Sequence, residues 1–220
     1  MLRRYRMLES ATQTELVLDS LNLREVPVAR ELSVVDAQGH EMTGMACPSQ
    51  PGVQEQWIAA CGGTGVPRLE LNGLGFWGNG HFFQSICFCA ACQYGYGATG
   101  GILQQIALEN WTTEERIAHP SINLMLLWRR SVQYGLLQQI RAATDALLCL
   151  RTAADLHYAG DRSSLTFEEA RAVVAACSVD PAGEEDQHRL LALPRSLPVY
   201  RCVTSLDQAG VGYDGYIECS

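Results

Sequence analysis

Lysine is absent from this chain: all 16 of its basic residues are arginine. That absence excludes chemistry through a lysine Schiff base, and with it pyridoxal-phosphate catalysis. It also excludes a Walker-type phosphate loop, whose lysine reaches the terminal phosphates. Positive charge in general is scarce. The formal net charge is -8, which argues against a nucleic-acid partner, because phosphate neutralisation needs a basic face. Arg3, Arg4 and Arg6 form a local basic cluster, of the kind that is most often solvated. Long apolar runs are missing too: no segment reaches the ~20 residues that a membrane-spanning helix requires. The start, Met1-Leu-Arg-Arg-Tyr-Arg-Met-Leu-Glu9, has no apolar leader core, so a cytoplasmic, reducing location is expected. No G-x-S-x-G, no H-E-x-x-H and no paired acidic metal motif occurs.

What is present is an ordinary globular composition, 47% hydrophobic and 18% charged, in 220 residues that can bury one large core or two small ones. The first half reads as strands. Residues 13–23 alternate in part, Arg68 to Leu71 and Gln54 to Ala60 are further strand candidates, and Glu31 to Met45 reads as a hairpin about Asp36-Ala-Gln-Gly39. Gly73 to Gly101 is rich in glycine, cysteine and aromatics and reads as loops and short strands. Beyond Leu108 helical spacing takes over. Apolar residues from Ile122 to Leu150 recur at helical intervals, Thr166-Phe-Glu-Glu169 has the form of a capping box for a helix over Ala170 to Cys177, and Glu184 to Leu193 is another helix candidate. Strands return at Pro198–Thr204 and Tyr216–Cys219. The expected fold is therefore α+β, with a β-rich N-terminal half (1–107) and a helical C-terminal half (108–220) that ends in a strand pair.

Nine cysteines in a reducing compartment are core thiols or metal ligands. Cys89 and Cys92 have the two-residue separation that lets two thiolates converge on one tetrahedral ion. A structural zinc site needs two more ligands. Cys47 and Cys61 are the distant candidates, with His81 or Cys87 as substitutes. Core burial is the competing account of all of them. Gly73-Leu-Gly75-Phe-Trp-Gly78 matches the dinucleotide-binding glycine pattern, but it runs into Asn79-Gly80-His81 rather than a helix start and has no acidic partner about 20 residues on. Trp128-Arg129-Arg130 could dock an anionic partner, but an apolar tryptophan beside a solvated arginine pair is the commoner arrangement. His119 and His157 border apolar faces and read as structural.

The segment Leu193-Pro-Arg-Ser-Leu-Pro-Val-Tyr-Arg-Cys-Val-Thr204 resembles the first core strand of ADP-ribosyltransferase-like proteins of phage or mobile-element type, in which a strand of the form L-x-V-Y-R-G carries an NAD-binding arginine. The resemblance implies that Arg201 and Tyr200 bind NAD, Arg201 through a forked pair of hydrogen bonds to phosphate. Cys202 stands where that family has glycine, and neither a Ser-containing second strand nor a downstream catalytic glutamate has a match before Ser220. The implied protein is thus a truncated or degenerate transferase. The alternative is a non-catalytic binding or adaptor module that uses the aromatic and glycine-rich face from Phe76 to Tyr96.

Overall fold

A computed structural model describes residues 1–73, 87–103, 120–153, 167–180, 197–208 and 212–219. Seven strands close into a barrel in the order β1-β2-β5-β6-β7-β8-β9. They are β1 (Leu2–Glu9), β2 (Thr14–Asn22), β5 (Arg68–Asn72), β6 (Leu147–Ala153), β7 (Ala176–Asp180), β8 (Val199–Val203) and β9 (Gly215–Glu218). Five of the seven pairings, from β2 through to β9, are parallel. β1 alone runs the other way and seals the barrel between β2 and β9. Outside the barrel, β3 (Ser33–Val35) and β4 (Glu41–Ala46) form a separate hairpin. The described helices are α1 (Pro51–Gly62), α2 (Ala90–Gly97), α3 (Pro120–Ala143) and the short α4 (Phe167–Ala170).

This architecture overturns the expected β-rich half followed by a helical half. Strands of both halves share one closed sheet, and two of the helices lie in the first half. The physical reason is the parallel pairing. A parallel strand is buried on both faces and reads as a continuous apolar run, which periodicity cannot separate from a buried helix. Leu147-Leu-Cys-Leu150 is such a run, and so it reads as the end of the preceding helix; Ala176 and Cys177 are likewise strand rather than helix. Gln54 to Ala60 errs in the opposite direction. Pro51 opens α1 at its first turn, and Val53, Trp57 and Cys61, spaced by four, form its buried face. The hairpin holds as read. Gly39 takes φ +87°, and the Asp36 carboxylate accepts from the amides of Gln38 (2.9 Å) and His40 (2.8 Å) across the turn. The Glu184–Leu193 helix candidate lies outside the described residues.

The largest apolar cluster fills the layer between the outer barrel surface and the helices. Leu21, Leu69, Leu71, Leu148 and Val199 from the strands meet Trp57 of α1 and Leu136, Leu137 and Ile140 of α3. A second cluster lies inside the barrel and contains Met7, Leu18, Cys149, Ala176, Tyr200 and Ile217. Gly215 stands opposite Tyr200 in register, and a Cβ there would lie 2.5 Å from the ring of Tyr200, so glycine is what admits the tyrosine to the interior. The N-terminal arginines are spent on ion pairs: Arg3 with Glu25, Arg4 with Asp19, and Arg6 with Glu15 and Glu218.

Candidate metal centre

Four thiols meet outside the barrel, where the β3–β4 hairpin, the start of α2 and the face of α3 pack together. The ligand atoms of Cys47, Cys87, Cys89 and Cys92 all lie within 4.8 Å of one another, and all four residues are buried. Cys47 Sγ is 3.4 Å from Cys92 Sγ and 3.7 Å from Cys89 Sγ. A tetrahedron with metal–sulfur bonds of ~2.3 Å has edges of about 3.8 Å. The four thiols therefore stand at the separation of ligands around one ion, and they could hold a metal ion.

Local structure explains the convergence. Cys47 directly follows β4, and its amide donates to Leu32 O at 3.1 Å, which closes the hairpin's open end. Phe88 N donates to Val35 O at 2.8 Å, so the 87–89 segment extends the hairpin. Cys89 is the N-cap of α2 with extended backbone, and Cys92 lies in the helix's first turn. The Cys-x-x-Cys pair thus straddles a helix start, where the helix dipole favours thiolate. Backbone amides also point at sulfur: Val35 N lies 3.5 Å and Cys89 N 3.4 Å from Cys87 Sγ. Such donors favour the ionised ligand over the thiol.

Electrostatics give the same picture. Contact with Cys47 holds the thiols of Cys87 and Cys89 below the ordinary range. Cys87 in turn pushes Cys47 up, and Cys47 pushes Cys92 up. Four thiols so close cannot all ionise unless a cation is among them. One cation is near. Arg129 of α3 is only 4% exposed, and although burial lowers its pKa to about 10, the sulfurs of Cys92, Cys47 and Cys87 act on it in the opposite direction. It stays charged at neutral pH.

Three of the four cysteines expected as metal ligands are thus brought together: Cys47, Cys89 and Cys92. Cys61 is not among them. It lies on the buried face of α1 in the layer between barrel and helices, where burial pushes its thiol up to about 12. Cys87, the substitute, takes the fourth position; His81 lies outside the described residues. Sequence reasoning missed Arg129, which is buried rather than solvated; its position four residues after Met125, on the face of α3 that meets the thiols, was the available signal.

The NAD residues expected from the resemblance lie on β8 but face opposite ways. Tyr200 points into the barrel. Arg201 is on the outer surface, its guanidinium 5.8 Å from the centroid of the Tyr213 ring. Of the aromatic face from Phe76 to Tyr96, residues 76–86 are outside the described residues; Tyr94 is exposed and Tyr96 is buried.

A second polar cluster, also missed, sits inside the barrel. The Glu70 carboxylate accepts from the Ser178 hydroxyl in a short hydrogen bond. β5 and β7 are not neighbours, so this bond crosses the interior. Glu70 is fully buried, and its other oxygen is 3.9 Å from Arg151 Nη1. Arg151 Nη1 in turn lies 3.5 Å from Cys219 Sγ. Glu70 and Ser178 each stand at the middle of their strands, and Arg151 lies nearer the C-terminal end of β6.

No protein-family model matches the chain, and no curated protein matches it in sequence. Among solved structures it is similar to the catalytic domain of β-amylase from Paenibacillus polymyxa, with TM-score 0.51 and 9% identity over 80% of this chain. The match spans 62% of that domain. At this identity the likeness concerns the barrel fold alone. No described helix is long and apolar enough to cross a membrane.

Proposed function

We propose that Cys47, Cys87, Cys89 and Cys92 hold one structural zinc ion, which fastens the end of the β3–β4 hairpin to the start of α2 beside the barrel. The observation that carries this reading is the mutual approach of four buried sulfurs to within 4.8 Å. Four thiolates complete a tetrahedron and leave no open position for water or substrate, which is the arrangement of a structural rather than a catalytic zinc. Among the described residues, Val34, Tyr96, Leu103, Met125 and Trp128 are the other buried members of the apolar cluster around the sulfurs. A metal would add a cross-link among these segments. Zinc quantified in protein purified without added metal, before and after a strong chelator, tests the reading; one equivalent lost together with a fall in thermal stability supports it.

A second reading is favoured by Glu70, Ser178 and Arg151: a small-molecule site in the barrel interior, with the buried carboxylate as its acid–base group. Glu70 Oε2 is fully buried and has no hydrogen-bond partner among the described residues, as a group awaiting a donor would be. Comparison of Glu70→Gln with the parent chain in a ligand-stabilisation screen tests it. The reading through NAD would need Arg201 and Tyr200 to line one pocket, whereas successive strand residues face opposite sides. Calorimetric titration with NAD against Arg201→Ala decides whether that proposal survives.

A further inference from the structure

We infer that Arg129 is the charge-compensating residue of the thiol centre, a buried guanidinium that lets four thiolates stay ionised around a divalent ion. The inference rests on the zinc reading and goes beyond it. A divalent ion with four thiolates carries a net charge of minus two, and burying that charge out of water is costly unless an opposite charge is buried with it. Hydrogen bonds from Val35 N and Cys89 N to Cys87 Sγ spread part of the charge. They carry no formal charge of their own. Arg129 does. It follows Trp128 on α3 and stands one turn beyond Met125, both members of the cluster around the sulfurs. With 4% of its surface exposed, it is buried to a degree rare for arginine. Met125, Trp128 and the four cysteines belong to one buried cluster, so the face of α3 that carries Met125 and, one turn on, Arg129 is turned toward the sulfurs.

Two consequences separate this role from packing. Charge, not shape, should set metal affinity, so lysine at this position should serve and glutamine should not. The positive charge should also favour the more negative of two complexes with the same ligands. In protein loaded with iron in place of zinc, the iron(II) form is the more negative, and loss of Arg129 should lower the iron midpoint potential.

The test uses the full chain with zinc alone, titrated against a chromophoric chelator, in wild type, Arg129→Gln and Arg129→Lys. The expected result is a loss of about 10- to 100-fold in zinc affinity for Arg129→Gln, the range typical of groups outside the ligand sphere. The absorption bands of the cobalt(II) form should stay tetrahedral and unshifted, and Arg129→Lys should remain within about threefold of wild type, with the ligands untouched. A wild-type affinity in Arg129→Gln overturns the inference while the zinc reading stands. So does a tenfold or greater loss in Arg129→Lys, which keeps the test decisive even where the glutamine variant does not fold. A wild-type chain that takes up no zinc overturns both.

Discussion

The thiol centre and the polar interior of the barrel are both buried clusters of ionisable groups, yet they are assembled in opposite ways. Three of the four thiols come from six consecutive residues, Cys87 to Cys92, and the fourth from the end of a neighbouring hairpin. Glu70, Arg151 and Ser178 come from three different strands and Cys219 from the residue after a fourth, and they are brought together only by the register of the closed sheet. The first cluster is a local device that a metal completes; the second is a consequence of barrel closure. They should therefore respond differently to perturbation. Metal removal should loosen the first and leave the second in place, whereas damage to the interior pair should weaken the barrel itself.

The largest expected effect comes from Cys89→Ala. Removal of one ligand should abolish stoichiometric zinc and lower thermal stability to that of the chelated wild type, as read by metal analysis and calorimetry. Next is Glu70→Ala, which removes the Ser178 acceptor and the carboxylate that Arg151 faces inside the barrel. It should cost about 3 kcal/mol in urea denaturation, the low end for breaking a buried pair because Arg151 keeps some access to water; zinc content should not change. Cys61→Ala sharpens the comparison from the other side. It should cost only about 1 kcal/mol, the value of a small buried apolar group, and zinc should remain at one equivalent. A zinc loss there would show that Cys61 is a ligand after all.

The smallest effect concerns pH. Hydrogen bonding to the amide of His40 is the chief cause that holds the Asp36 carboxyl below its ordinary range. Because the folded value lies below the unfolded one, the turn is stabilised above the unfolded pKa, and that contribution is lost as pH falls through the folded value. Carboxyl chemical shifts followed by NMR should place the Asp36 midpoint below that of an unfolded aspartate. Asp36→Asn should remove the shift and leave zinc binding intact.

The contrast also explains what could be read from the sequence. The Cys89–Cys92 spacing is a local signal, and so are the hairpin turn at Asp36-Ala-Gln-Gly39 and strands β2, β5 and β8. Cys61 was a candidate because it shares the expected β-rich half with Cys47; once Pro51 starts a helix, Cys61 turns with Val53 and Trp57 toward the barrel. The barrel was hidden because Leu147–Leu150 and Ala176–Val179 carry no period that distinguishes a buried parallel strand from a helix. The Glu70–Ser178 contact spans 108 positions in sequence, and no local pattern announces it. Arg129 was obscured by its neighbour: Arg130 reaches Glu169 at 3.3 Å and stays half-buried, whereas Arg129 turns inward.

The most direct measurement is the metal content of the full chain, purified under reducing conditions without added metal, by mass spectrometry of the intact native protein. The account predicts a single species that carries one zinc ion and has lost the protons of the coordinating thiols, and that becomes metal-free in Cys89→Ala. A wild-type protein that stays metal-free even after incubation with zinc, with all four thiols open to alkylation, would contradict it.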